Sequence, residues 1–325
     1  MIPDTEVTYV SRGEVQLAVT HAGSGPVVLL LHGFPELAYS WRAQFAPLAA
    51  AGYTVVAPDQ RGFGASSTPY PVSDYALEEL AADAEAVINH FGGEAVVIGH
   101  DWGSPVAWHT ALRYPANVRA VGSLSVPHAA RASRPPLEAM RAAAGPDHVF
   151  YIDYFQQEGL AEAEFEADVR TSLLGFMWSI SGDAPKDERF RPIPKDGRFI
   201  DAITVPQALP DWLSEADLAV YTAAFAKTGF RGGLNWYRNV TRNWEQSADL
   251  ANAIVRQPAL FVTGSRDPAR NPAAMARLGE VVPDLRVNLV LEGCGHWTQQ
   301  ERPSEVNELL LGFLRSLDLS TDRST

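Results

Sequence analysis

Cysteine is nearly absent from the sequence, because Cys294 is the one cysteine among 325 residues. A single thiol cannot form an intramolecular disulfide, so the cysteine usage gives no sign of an oxidising compartment. Long apolar runs are also missing: stretches such as VVLLL at 27–31 are too short to span a bilayer. No CxxC, HExxH or EF-hand pattern occurs. We therefore expect no metal.

Basic residues are outnumbered, since 26 Lys and Arg face 39 Asp and Glu and give a net charge of −13. This balance argues against nucleic acid or an anionic membrane as the main partner. The first ten residues, MIPDTEVTYV, lack the basic and apolar segments of a signal peptide. We therefore expect a cytoplasmic protein that acts on a small molecule. A homodimer remains open as its oligomeric state.

Apolar runs that read as buried strands alternate with helical patterns in the first part of the chain. The predicted strands are EVTYV and EVQLAVT at an edge, then VVLLL, TVVAP, AVVIG and AVGSLSV, and later PALFVTG and RVNLVLEG. The predicted helices between and after them cover about 40–50, 75–91, 104–113, 272–280 and 303–317. This alternation predicts the α/β class, with a mostly parallel sheet and helices on both faces.

The alternation stops between about Pro127 and Gln246, where no convincing buried strand is found. Helical stretches replace it: LEAMRAAAG, AEAEFEADVRTSLLGFMW and EADLAVYTAAFAKTG. We therefore predict a core formed by 1–127 and 247–325, with an inserted helical cap over 128–246. The tail 318–325 is expected to be disordered.

The turn Gly99-His100-Asp101-Trp102-Gly103 carries an acid between two glycines, after a predicted strand and before a predicted helix. This spacing is typical of a sharp turn that exposes a nucleophile above the sheet. The helix N-terminus behind it favours negative charge. The structural alternative is an ordinary strand–helix connection with Asp101 as the N-cap.

Two further polar residues follow predicted strands later in the chain. Asp267 comes after PALFVTG, and His296 comes after RVNLVLEG. The order Asp101, Asp267, His296 is that of nucleophile, acid and base in an α/β-hydrolase triad. Taken singly, Asp267 could be a helix cap and His296 a packed histidine.

An oxyanion hole is expected beside the nucleophile. Its donors would be the backbone N–H groups of Phe34, in the loop after VVLLL, and of Trp102. We also consider a cis Phe34–Pro35 bond, because proline is the residue that permits one.

Five segments resemble the soluble epoxide hydrolases of the α/β-hydrolase superfamily. They are HGFPE at 32–36, DQRGFGAS at 59–66, GHDWGSPVAW at 99–108, TGFRGGLNWYRN at 228–239 and CGHWTQ at 294–299. The resemblance covers nearly the whole chain, including the predicted cap. It implies an aspartate nucleophile matching Asp101, a charge-relay acid matching Asp267 and a base matching His296.

The resemblance also implies two cap tyrosines that donate hydrogen bonds to an epoxide oxygen. Tyr237 matches one of them, in LNWYRNV. Tyr151 is the better match for the other, by its spacing before YFQ, and Tyr154 is the alternative. For all three, aromatic packing within the cap is the structural alternative. Tyr221 is interpreted as a packing residue.

An aspartate nucleophile suits displacement at a saturated carbon, because a carboxylate is already ionised at neutral pH. The alkyl ester formed on Asp101 must then be hydrolysed, which His296 can achieve by taking a proton from water. The resemblance therefore implies an epoxide hydrolase that makes vicinal diols from small apolar epoxides by covalent catalysis. It also implies that the enzyme needs no cofactor and has a role in detoxification.

Two alternatives stay open beside this hypothesis. A haloalkane dehalogenase would use the same nucleophile with a halide as the leaving group, and Trp102 does not discriminate because both families carry it. A binding protein on a hydrolase scaffold would keep the pocket without turnover.

We expect the cap to enclose an apolar pocket above the nucleophile. Phe34, Trp102, Trp178 and Trp236 are the main predicted substrate-binding residues, and Trp212, Phe176 and Phe225 are further candidates. For most of these side chains, packing within the cap core is the alternative.

Overall fold

The computed structural model describes residues 2–317 and residue 319. The tail 318–325, which we expect to be disordered, lies outside the described residues except for Leu319.

A mixed β-sheet forms the centre of the molecule. The strands of the chain are β1 (Glu6–Arg12), β2 (Val15–Ala22), β3 (Val27–Leu31), β4 (Thr54–Pro58), β5 (Ala95–His100), β6 (Val118–Leu124), β7 (His148–Val149), β8 (Ile193–Pro194), β9 (Ala259–Gly264) and β10 (Leu285–Leu291). Within the described residues, eight of them form one sheet in the order β1-β2-β4-β3-β5-β6-β9-β10. β2 pairs antiparallel with β1 and β4, and the other neighbours are parallel. The predicted sheet and its edge hairpin are confirmed.

Helices cover both faces of this sheet. The helices outside residues 128–246 are α1 (Arg42–Ala50), α2 (Leu77–His90), α3 (Gly103–Arg113), α11 (Pro272–Val281), α12 (Thr298–Glu301) and α13 (Pro303–Arg315). Short 3₁₀ turns cover Ala38–Trp41, Val72–Tyr75 and Ala248–Leu250. Every residue of β3, β5 and β9 is buried, which explains why these strands are continuous apolar runs rather than alternating ones.

Residues 128–246, called the insertion below, leave the sheet after β6 and return at β9. Their helices are α4 (Pro136–Ala144), α5 (Tyr151–Tyr154), α6 (Leu160–Ala167), α7 (Val169–Ser179), α8 (Glu215–Thr228), α9 (Arg231–Arg238) and α10 (Val240–Gln246), with a 3₁₀ turn at Phe199–Ala202. β7 and β8 form a two-residue antiparallel ribbon, which the sequence pattern did not predict. The boundaries of a separate cap domain stay a prediction.

One helix that the sequence predicts as continuous is in fact two. AEAEFEADVRTSLLGFMW divides at Asp168, whose backbone is extended, with φ −151° and ψ 91°. The Asp168 carboxylate accepts the N–H of Thr171 at 3.0 Å and so caps α7. A short polar side chain that satisfies a free N–H at a helix start explains why a new helix begins there.

The loops after β3, β5, β9 and β10 come together at one edge of the sheet, because these strands are parallel. The carboxyl edge of an open α/β sheet is where such folds place their sites. The insertion leaves from the same edge, at the end of β6. In the described part of the chain, no helix has both the length and the apolar character needed to cross a bilayer.

Candidate active site

Asp101 lies at the turn between β5 and α3 with a left-handed backbone, φ +50°. The two flanking glycines serve close approach rather than unusual dihedrals. A Cβ at Gly99 would lie 2.0 Å from the Gly103 carbonyl oxygen, and one at Gly103 would lie 2.1 Å from that of Leu31. The chain can therefore turn sharply here only because both positions lack a side chain.

The loop after β3 supplies a donor to this carboxylate. The N–H of Phe34 donates to Oδ1 of Asp101 at 2.8 Å. The Phe34–Pro35 bond is cis, as considered from the sequence. The other predicted donor, the N–H of Trp102, directly follows Asp101 at the start of α3. The loop therefore presents a backbone donor where a negative oxygen on Asp101 would need one.

His296 lies between the two aspartates and is 3 % exposed. Its Nε2 is 3.3 Å from Oδ2 of Asp101, and its Nδ1 is 3.0 Å from Oδ1 of Asp267. Burial alone would lower the pKa of His296, but the charges of Asp267 and Asp101 and their hydrogen bonds raise it well above its ordinary value. The structure thus brings together the three residues that lie far apart in the sequence.

Asp267 has a fully buried side chain. Its Oδ1 accepts the N–H of Ala269 at 2.8 Å. Burial alone would raise the pKa of Asp267, but the contact with His296 and a hydrogen bond from Ser125 hold it below its ordinary value. Asp267 is therefore fixed as a carboxylate facing the imidazole.

Ser125 is a site residue that the sequence analysis missed. It directly follows β6 with a left-handed backbone, φ +78°, and its Oγ lies 3.1 Å from Nδ1 of His296. Its hydroxyl also bonds to Asp267. A serine after a strand carries no sequence signature, so only its position at the same sheet edge could have pointed to it.

Tyr151 and Tyr237 are neighbours, with ring centroids 5.9 Å apart. Burial and the nearby charge of Asp101 raise the pKa of both phenols, so both remain protonated donors at neutral pH. The indole N–H of Trp102 donates to the Tyr237 hydroxyl, which leaves the phenolic proton of Tyr237 free for another acceptor.

The alternative tyrosine is engaged elsewhere. The hydroxyl of Tyr154 donates to Glu164 within the insertion. The hydroxyl of Tyr221, interpreted as a packing residue, is buried and bonds to Ser40 at 2.9 Å and to Gln300 at 3.2 Å. Tyr221 therefore ties the insertion to the core by hydrogen bonds as well as by packing.

Several predicted liners contact the site indirectly. Phe34 packs against Tyr237 with ring centroids 5.5 Å apart, and Phe176 and Phe225 pack edge-on against Phe34. Trp236 contacts Trp102 and donates its indole N–H to the carbonyl of Arg61, so it supports the wall behind Trp102.

The other two tryptophans among the predicted liners, Trp178 and Trp212, form hydrogen bonds with neighbouring loops. Trp178 donates its indole N–H to Glu188 at 2.7 Å, and within the described residues no ring contact joins it to the site aromatics. The prediction that Trp178 lines the pocket therefore finds no support in its contacts. Trp212 packs against Trp297 and donates to the Ser181 hydroxyl at 3.2 Å.

The sequence analysis also missed a buried pair, His100 and Glu36, next to Asp101. Nδ1 of His100 is 2.6 Å from Oε2 of Glu36, and its Nε2 donates to the His296 carbonyl at 2.7 Å. Glu36 also accepts the N–H of Gly33 at 2.9 Å. The pair thus joins the loop after β3, the end of β5 and the loop of the histidine. Glu36 belongs to the HGFPE segment, so that motif was the available signal.

No group of His, Cys, Asp and Glu in the described part of the chain is arranged to hold a metal ion. The groups that the site offers are a carboxylate, an imidazole with a buried acid, two phenols and a backbone donor.

Comparison with known proteins gives consistent matches. A family model described as the alpha/beta hydrolase fold matches residues 26–178. Epoxide hydrolase A of Mycobacterium tuberculosis is 44% identical over 314 residues, covering 95% of this chain and 97% of that protein.

Solved structures agree over nearly the whole chain. An epoxide hydrolase from an endophytic Streptomyces superposes with a TM-score of 0.93 at 42% identity, covering 97% of this chain and 96% of that one. Epoxide hydrolase A from Mycobacterium thermoresistibile gives a TM-score of 0.91 at 44% identity, covering 97% and 100%.

Proposed function

The chain belongs to the epoxide hydrolase family of the α/β-hydrolase fold, and from this premise we propose that it converts epoxides and water to vicinal diols through an ester on Asp101. The observation that carries the proposal is the pair of phenols, Tyr151 and Tyr237, whose ring centroids are 5.9 Å apart, with Tyr237 packed on Trp102, the residue after Asp101. An epoxide oxygen stays attached to the product and needs a proton donor, which a phenol supplies.

In the first step, Oδ2 of Asp101 attacks an epoxide carbon and forms the ester bond. Oδ1 is the oxygen bound by Phe34, so it becomes the ester carbonyl oxygen. The carbon–oxygen bond of the ring breaks, and its electron pair stays on the epoxide oxygen. That oxygen takes a proton from Tyr151 or Tyr237, so no free alkoxide accumulates.

In the second step, His296 takes a proton from water and the hydroxide attacks the carbonyl carbon of the ester. The negative charge that develops on Oδ1 is stabilised by the N–H groups of Phe34 and Trp102. Asp267 stabilises the imidazolium that forms. Collapse of the intermediate breaks the ester, and the alkoxide of the product takes the imidazolium proton. The proton that the hydroxide leaves on the Asp101 carboxyl passes to the tyrosinate, directly or through solvent, so that the carboxylate and the phenol are both regenerated.

A haloalkane dehalogenase is the alternative, since it would use the same nucleophile. A departing halide needs N–H donors, and here the indole N–H of Trp102 is engaged by the Tyr237 hydroxyl. This contact favours an epoxide over a halide as the reacting group. A binding protein without turnover is disfavoured by the full set of Asp101, His296 and Asp267 in contact.

The remaining parts of the proposal follow from the surroundings of the site. The insertion acts as a cap that covers Asp101 with aromatic side chains, which fits a small apolar epoxide. The steps above use only side chains, backbone and water, without a cofactor. We also propose a cytoplasmic location and a role in detoxification.

The proposal is tested with phenylalanine variants of the tyrosines and two substrates, an aryl epoxide and a bromoalkane. We expect diol from the epoxide and no bromide from the bromoalkane. Tyr151→Phe and Tyr237→Phe should each slow epoxide opening by roughly 10²-fold or more, and the double variant should nearly stop it.

Tyr154→Phe is the matched control, because the Tyr154 hydroxyl bonds to Glu164. It should keep the wild-type rate. Bromide release without diol formation would establish the dehalogenase instead. Wild-type rates in the double variant would show that other groups donate the proton.

A further inference from the structure

The loop that carries His296 is in direct contact with the insertion. The backbone N–H of His296 donates to the carbonyl of Ile180 at 3.0 Å. The indole N–H of Trp297 donates to the carbonyl of Met177 at 2.7 Å. Met177 lies in the last turns of α7, and Ile180 follows that helix. The end of α7 therefore accepts two hydrogen bonds from the segment that carries the base.

Glu301, in α12, forms hydrogen bonds with both the loop of His296 and the insertion. Its carboxylate accepts the N–H of Gly295 at 2.7 Å and that of Trp297 at 3.2 Å, the residues directly before and after His296. It also accepts the N–H of Gly182 in the insertion at 3.1 Å. Glu301 is 7 % exposed, and no ion pair to it occurs within the described residues. Backbone donors are therefore its main partners.

Gly182 is bound on its other side as well. Its carbonyl accepts a hydrogen bond from the guanidinium of Arg266 at 2.7 Å, and Arg266 directly precedes Asp267. A Cβ on Gly182 would lie 2.4 Å from the carbonyl oxygen of Gly293, so a side chain does not fit without movement. Gly182 is thus linked by hydrogen bonds through Glu301 to the loop of His296, and through Arg266 to the loop of Asp267.

We propose that Glu301 is a positioning residue for His296, and that it fixes the base by clamping both flanking backbone N–H groups to Gly182 of the insertion. This inference rests on the proposed function, in which His296 activates water against the ester. Without the carboxylate, three buried N–H groups lose their acceptor, and the loop must rearrange to satisfy them. A displacement of about 1 Å at a reacting group can cost about 10²-fold in rate.

The clamp has a consequence for movements of the insertion. Separating Ile180 and Gly182 from the histidine loop would remove the bonds that hold His296 in place. The clamp therefore has to be closed while the ester on Asp101 is hydrolysed.

The test uses the full chain with Glu301→Gln, which keeps the size of the side chain but turns one acceptor oxygen into a donor. The variant is mixed with a limiting amount of aryl epoxide, quenched at intervals, and the ester on Asp101 is followed by intact mass. Ester formation should stay within about threefold of the wild type, and ester decay should slow by about tenfold or more. This separation follows because only the second step uses His296.

Glu305→Gln is the control. Glu305 lies four positions after Glu301, in α13, and its side chain is 56 % exposed. It should form and lose the ester at wild-type rates. Ester decay at the wild-type rate in Glu301→Gln, or an equal loss in both steps, would overturn the inference. If circular dichroism shows Glu301→Gln unfolded, Glu301→Asp decides by the same readout, because it keeps the charge but shortens the reach of the carboxylate by one methylene: slower decay with normal formation supports the clamp, and wild-type decay overturns it.

His296→Gln separates this inference from the proposed function. If that variant traps the ester while Glu301→Gln loses it normally, only the clamp is wrong. If His296→Gln forms no ester, the proposed mechanism fails and the clamp fails with it.

Discussion

Gly33 shows at the scale of single residues how strongly Asp101 depends on the loop opposite. A Cβ at Gly33 would lie 2.2 Å from Oδ1 of Asp101, well inside contact distance. The same loop must also bring the N–H of Phe34 to 2.8 Å from that oxygen. A residue with any side chain at position 33 cannot satisfy both requirements without displacing the carboxylate.

Gly33→Ala is therefore predicted to reduce turnover by about 10²-fold or more, because the methyl group displaces the Asp101 carboxylate. The measurement is kcat/KM for an aryl epoxide together with the melting temperature. Gly312→Ala is the matched control, since a Cβ there meets nothing within 4 Å and Gly312 lies inside α13. It should keep full activity and slightly raise stability. Full activity in Gly33→Ala would contradict this reading of the loop.

Asp101, Asp267 and His296 could be selected from the sequence as candidate site residues, because each has a reactive side chain and follows a predicted strand. Ser125 and Glu301 were not predicted, since neither residue lies in a motif and their partners are distant in the sequence; Glu301 and Gly182 are 119 positions apart. The choice of Tyr151 over Tyr154 rested on spacing alone, and Tyr154 proves to be bonded to Glu164.

At the scale of elements, Glu36 links the loop after β3 with β5 and α12. It bonds to His100 at 2.6 Å and accepts the side-chain amides of Gln299 and Gln300 at 2.9 and 3.0 Å. Burial alone would raise the pKa of Glu36, but the contact with His100 and the N–H of Gly33 lower it to about 2. One buried carboxylate therefore joins the loop after β3, the end of β5 and α12 by hydrogen bonds.

This pKa predicts how stability depends on pH. A carboxyl whose folded pKa lies below its unfolded value stabilises the fold above the unfolded value, about 4.5, and loses that contribution as the pH falls towards about 2. Glu36→Gln should therefore lower the free energy of unfolding at pH 7, by on the order of 3 kcal/mol. The difference from the wild type should shrink at pH 3.

The measurement is urea unfolding at pH 7 and at pH 3. Glu305→Gln removes an exposed carboxylate and serves as the control, with little effect expected at either pH. A destabilisation of Glu36→Gln that is equal at both pH values would show that the charge of Glu36 is not what holds the loops.

At the scale of the whole molecule, the sequence predicted the layers better than their contacts. Continuous apolar runs such as β3 and β5 are typical of strands that are buried on both faces, so the strands of the sheet could be predicted from the sequence. The division of one predicted helix at Asp168 and the small ribbon of β7 and β8 depend on local capping and on pairing across the insertion. Neither a local cap nor a two-residue strand pairing leaves a periodic pattern in the sequence.

The central claim of the proposed mechanism is an ester between Asp101 and the opened epoxide. His296→Gln should open an epoxide once and then stall, because no base remains to activate water. The measurement is the intact mass of this variant after exposure to an aryl epoxide, followed by digestion to locate the adduct. The account predicts a mass increase equal to the whole epoxide, carried by Asp101. Diol formation without any adduct, or an adduct on another residue, would contradict it.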